Sequence, residues 1–192
     1  MNFKLFISIV AVILTFVGYF PYFRDIFNGK TKPHLFSWVI WTITVGITYA
    51  LQVSAGAGSG AWVTGVLTII MGSISVLSFK YGTKNITKLD IVFLIIALSA
   101  LPLWFFAHQP VLAAVILAAI DMVGFFPTIR KSWNDPYSET LSFYFITTVR
   151  HSLSVLALQN YNIITIAFPG AWVIANAVFA VILVVRRKSV MA

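Results

Sequence analysis

Apolar residues run along this chain in seven long blocks, roughly 4–23, 34–54, 61–79, 91–108, 110–129, 139–158 and 162–185. A bilayer core is crossed by about twenty apolar residues, so each block predicts a transmembrane helix. Blocks four and five part only at His108-Gln109-Pro110. Blocks two and three part at Ala55-Gly-Ala-Gly-Ser-Gly60, which reads as a flexible tight turn. Within the blocks the polar side chains keep helical spacing. Block two carries Trp41, Thr44, Thr48 and Gln52, and block six carries Tyr144, Thr147, Thr148, Arg150, His151 and Ser154. Such hydroxyls can cement helix contacts; on two corresponding blocks they also suit a shared polar cavity. Small residues at Ala114 and Ala118, and at Ala171 and Ala175, read as packing faces.

Composition agrees with this pattern. Sixty per cent of residues are apolar and 9% charged, against about a quarter charged in a soluble domain. Lys and Arg then set orientation, because basic short loops stay cytoplasmic. Arg24, Lys30 and Lys32 follow block one, and Lys80, Lys84 and Lys88 follow block three. Arg130 and Lys131 follow block five, and Arg186, Arg187 and Lys188 block seven. Lys4 alone lies on the other side and Arg150 lies inside a block. The expectation is seven spans with the N-terminus outside and the C-terminus cytoplasmic. Anionic lipid, not nucleic acid, is then the partner of the +8 charge. Residues 1–20 read as a retained span rather than a cleaved signal. Asn85-Ile-Thr87 is a sequon on a cytoplasmic loop, to be disregarded. Compactness suggests a bacterial inner membrane.

The chain also repeats itself. Gly18-Tyr-Phe-Pro21-Tyr-Phe-Arg24 returns as Gly124-Phe-Phe-Pro127-Thr-Ile-Arg130, and Gly60-Ala-Trp62-Val63 as Gly170-Ala-Trp172-Val173. A period this long marks a duplicated unit rather than a solenoid, whose repeats are about 20–50 residues. Two three-span units with the same orientation need one extra span between them, and block four has no counterpart. The predicted architecture is an all-α membrane protein with two parallel three-helix bundles. The first repeat covers 1–79, a linker loop and fourth helix 80–109, and the second repeat with a short tail 110–192. Related bundles of this kind hold their solute between them.

A three-span unit with Pro near the end of its first helix, a basic loop, and Ser opening the second helix resembles the SWEET and PQ-loop transporter superfamily. The resemblance covers essentially the whole chain, in the 3+1+3 form. Two departures stand out. The Gln of the PQ pair is Tyr22 in one copy and Thr128 in the other. The prolines that SWEETs carry inside the second and sixth spans are missing, with Val39-Ile40 and Tyr144-Phe145 in their place. The resemblance implies a substrate contact at Asn176, which shares a face of block seven with Trp172. Its counterpart by the repeat is Val66, with Thr68 and Ser73 within reach.

Asp121 and Arg150 are the charges of most interest. Asp121 lies about 13 Å along its helix from Arg130, and Arg150 about 16 Å from Glu139, so both reach mid-bilayer. The matching residues are Thr15 and Val45. An unpaired charge at that depth costs at least about 2.5 kcal/mol. Two readings stand: a structural clamp between blocks five and six, which is favoured, or a site where Arg150 meets an anion or Asp121 exchanges a proton. His151 points away from Arg150 and reads as a packing residue. Pro21 and Pro127 read as matched hinges or as shapers of the helix exits. Trp62 and Trp172 read as an interfacial belt or as gates. His34 and Glu139 read as solvated helix starts.

No Cys is present, and the three His and five acids form no metal-ligand or nucleophile motif. No enzyme activity, metal or cofactor is expected. The function expected is small-solute transport, of a sugar or another small polar metabolite, by alternating access. Asn176, Arg150, Asp121, Trp41, Thr44 and Thr148 are the expected substrate-binding residues. Homo-oligomerisation stays open. The alternatives are a receptor or scaffold on the same fold, or a vitamin-precursor importer of the PnuC type.

Overall fold

The computed structural model describes residues 2–29, 32–82, 88–134, 136–137, 139 and 141–191. Among them the chain is all-helical: α1 (Phe3–Phe27), α2 (Leu35–Ser54), a 3₁₀ turn (Gly58–Ala61) leading into α3 (Trp62–Tyr81), α4 (Lys88–Phe105), α5 (Pro110–Asn134), α6 (Leu141–Ala157) and α7 (Ile163–Met191). Each apolar block has become one helix. Four are long and apolar enough to cross a membrane: α1, α2, α3 with its 3₁₀ lead-in, and α7. Helix α6 has 17 residues, about 25 Å of rise, and carries Arg150 and His151.

Polarity is inverted relative to a water-soluble bundle. Phe16 and Phe20 of α1, Ile69 and Val76 of α3, and Val178 and Val181 of α7 face outward, while Thr44, Thr48, Gln52, Asp121, Arg150, His151 and Asn176 are buried. An apolar solvent favours that distribution, because it offers side-chain dipoles no partner. The arrangement is compatible with a membrane protein.

Both helix triplets are ordered alike. In the first, α1 and α2 each pack on α3; in the second, α5 and α6 each pack on α7. The triplets meet along two seams, α1 on α6 and α2 on α5, and α4 packs on both α2 and α5. The third helix of each triplet is therefore central, and α4 lies across one seam.

At one end of the molecule residues 55–60 are not the flexible turn that their composition predicts. Gly56 and Gly58 take φ of 74° and 62°, the left-handed region that glycine enters at least cost. This conformation seats the segment on the α6–α7 connection. Gln159 N–H donates to the Ala57 carbonyl at 3.0 Å, and the Ser154 hydroxyl donates to the Gly60 carbonyl at 2.8 Å. A Cβ on Gly60 would lie 2.7 Å from the Leu158 backbone nitrogen. The Lys4 ammonium donates to the Leu158 carbonyl at 2.6 Å. Glycine is used here for close backbone approach.

Pro21 lies inside the last part of α1, which continues through it to Phe27, leaving the Val17 carbonyl without its helical donor. The corresponding expectation at Pro127 falls on a side chain outside the described residues, as does the sequon at Asn85. Arg186 and Arg187 bind the end of α5 and the α5–α6 connection. They donate to the carbonyls of Trp133 and Pro136, each at 3.0 Å.

Gly60→Val should lower the melting temperature of the detergent-solubilised protein, with an overpacking cost of about 1–3 kcal/mol. Gly72→Ala, whose Cβ would meet Thr42 at an ordinary 3.6 Å, should leave it unchanged or raise it. Thermal unfolding of the two variants side by side checks this.

Candidate functional site

Between the triplets lies a cavity of about 620 Å³. All six helices of the two triplets line it, and among the described residues none of α4 does. At its inner end stand Asp121, Arg150 and Asn176; it extends along Trp41 and Tyr22 to Asp25, His34 and Glu139 at the end where the basic loops lie. The opposite end is closed by the contacts of residues 55–60, and by one more. Pro169 lies inside α7 and has no N–H to give the Thr165 carbonyl. The Gln52 amide from α2 donates to that carbonyl instead, at 3.2 Å. A proline that removes a bond within one triplet thus creates an acceptor for the other.

The expected Asp121–Arg150 clamp does not form. Among the described residues the only ion pair is Arg24–Asp25, at 3.0 Å. Helix α7, not α6, packs along α5, so equal depth does not make the two charges neighbours. Asp121 belongs to the α2/α5 seam: its Oδ1 accepts from the Thr44 hydroxyl at 3.3 Å. Arg150 belongs to the α1/α6 seam: its guanidinium carbon lies 5.4 Å from the centroid of the Tyr19 ring, within cation–π range. Asp121 is 2% exposed and Arg150 4%. Asp121 Oδ2 and Arg150 Nε have no hydrogen-bond partner. Both face the cavity from opposite walls.

The other expected residues divide. Trp41 lines the cavity and packs edge-on against Trp38, centroids 5.2 Å apart. Thr44 stands behind Asp121 and also donates to the Trp41 carbonyl at 3.1 Å. Thr148 is not at the cavity; its hydroxyl donates to the Tyr144 carbonyl at 2.8 Å, and Thr147 lines the wall in its place. Asn176 is buried at the wall, with Nδ2 donating to the Trp172 carbonyl at 2.7 Å, which leaves Oδ1 and the second Nδ2 hydrogen to offer. Pro21 lines the cavity. His151 also lines the cavity, stacked on Trp172 at 6.4 Å and edge-on to Phe168 at 5.7 Å, and its Nδ1 is unpartnered.

Trp62 and Trp172 are not equivalent. Trp62 opens α3 on the outer surface, 43% exposed; Trp172 lies well inside α7 and lines the cavity, against Phe125 at 5.6 Å. The shared Gly-Ala-Trp-Val string is therefore out of structural register. What α3 presents to the cavity is Leu67 and Met71, spaced four apart like Trp172 and Asn176. Val66, Thr68 and Ser73 do not line it.

Tyr19 was not legible as a site residue, because its role depends on α1 packing against α6. Glu139 is more than a solvated helix start: it accepts from the Tyr144 hydroxyl at 2.6 Å. The tyrosine in block six was the available signal.

Removing one member of a buried ion pair costs about 3–5 kcal/mol. Since these two charges are unpaired, Asp121→Asn and Arg150→Gln should each leave the melting temperature of the empty protein unchanged or raise it. A fall of that size in both single variants, smaller in the double variant, would restore the clamp. Compared with family models, with curated proteins and with solved structures, the chain finds no significant match.

Proposed function

We propose that this protein is a seven-span transporter for a small polar solute, of the SWEET and PQ-loop type. The bundles 1–79 and 110–192 rock about a central cavity, and α4 links them. One observation carries the reading: among the described residues the cavity is walled by both triplets and by none of α4, while hydrogen bonds join the triplets at the end formed by residues 55–60. A site that reaches one end and is sealed at the other by separable contacts is what alternating access requires of each half-cycle. Basic loops lie at the accessible end, so this conformation would face the cytoplasm, with the N-terminus outside in the inner membrane. Pro21, beside the cavity and with a freed carbonyl one turn away, is a hinge candidate on the mobile side.

The closed end can be locked chemically, because the native chain has no Cys to interfere. Lys4→Cys with Leu158→Cys, bridged by a short thiol-specific cross-linker, should abolish solute exchange in proteoliposomes. Adding reductant to a cleavable linker should restore it. Exchange that persists in the fully cross-linked protein would remove the rocking mechanism. No flux of any solute by the unmodified protein would remove the transport reading.

A further inference from the structure

We infer that the solute is a zwitterion of the amino-acid class, bound with its anionic group at Arg150 and its ammonium at Asp121. The inference deepens the transport reading and rests on it for the identity of the cavity as the solute site.

Two buried charges of opposite sign face one cavity from its two seams, each with a polar atom left without a partner. A charged group left partly unsatisfied in a buried position costs more than a neutral one; Thr44 and Tyr19 each meet one side of these groups, and no side chain reaches Asp121 Oδ2 or Arg150 Nε. A ligand that does so gains from both. A neutral sugar supplies hydroxyls but no countercharge. A lone anion satisfies Arg150 and is repelled by Asp121; a lone cation does the reverse. A zwitterion matches both walls and adds no net charge to a low-dielectric site, which matters for a cargo that must cross a bilayer.

The remaining lining fits the same ligand. Arginine offers a planar fork suited to carboxylate, and the Tyr19 ring under its guanidinium leaves the Nε edge unpartnered. On the other wall, Asn176 Oδ1 is a second acceptor for an ammonium N–H. Between them Trp41, Phe125 and Trp172 offer aromatic faces to an apolar side chain. The acids at the mouth are otherwise engaged, Asp25 by Arg24 and Glu139 by Tyr144, so they do not compete for the ammonium.

The test is a thermal-shift and calorimetric screen of the purified full chain. Its ligands are the proteinogenic amino acids, γ-aminobutyrate, glycine betaine, glucose and sucrose. Each amino acid that stabilises the protein is then compared with its carboxamide, which lacks the anion, and with its des-amino acid, which lacks the cation. We expect at least one zwitterion to bind, and either deletion to weaken it about tenfold to a hundredfold. In Arg150→Gln binding should be lost, whereas in Asp121→Asn the des-amino acid should bind as well as the parent. The inference is overturned if no zwitterion binds, if a sugar binds in their place, or if both singly charged analogues bind like the parent. The analogue series uses wild-type protein, so it decides even if a variant fails to fold. Flux measurements separate this result from the transport reading. Zwitterion binding without flux keeps the ligand class and removes transport; sugar flux without zwitterion binding does the opposite.

Discussion

Helix α7 stands between α5 and α6, and most of what is distinctive about this molecule depends on that placement. Because each triplet puts its third helix at the centre, the first and second helices of a triplet are left to meet the other triplet. Asp121 and Arg150, brought to one depth by their helices, are thereby directed to different seams. Neither can neutralise the other. The cavity exists because six helices ring a space that a direct α5–α6 contact would have filled, and its two polar poles are the charges that packing has kept apart.

The closed end shows a second economy of form. Two kinds of residue usually regarded as breakers, glycine at 56, 58 and 60 and proline at 169, act there with a buried glutamine at 52. Glycine permits backbone to touch backbone, proline frees a carbonyl, and the glutamine amide occupies it across the interface. Beside these polar contacts lies a small apolar cluster, Ala57 and Ala61 against Leu158, with Tyr49, Val155 and Ile166 packed on it.

Local features were legible in the sequence and pairings were not. Block boundaries follow from hydropathy, and the seven helices match them closely, with α1 and α5 running beyond their prolines. Helical rise gives how far Asp121 and Arg150 lie along their own helices. Which helix neighbours which depends on tertiary packing, and chain order is a poor guide to it; the clamp fails for that reason. The Gly-Ala-Trp-Val identity fails differently. Four matched letters carry no register, and α3 begins at Trp62 while α7 begins at Ile163, so one Trp opens a helix and the other lies deep inside one. Thr148 and Thr147 differ by about 100° of helical rotation. A stripe read without its partner helix cannot choose between them.

Helix α4 touches the second helix of one triplet and the first of the other, and lines none of the cavity. It therefore does for the α2/α5 seam what direct contact does for α1/α6. In a rocking molecule the two sides would not be free to part equally: one is a packed joint, the other a joint spanned by a strut. The connector that sets the direction of the second repeat would also set a stroke length, making the motion of two similar halves lopsided by construction.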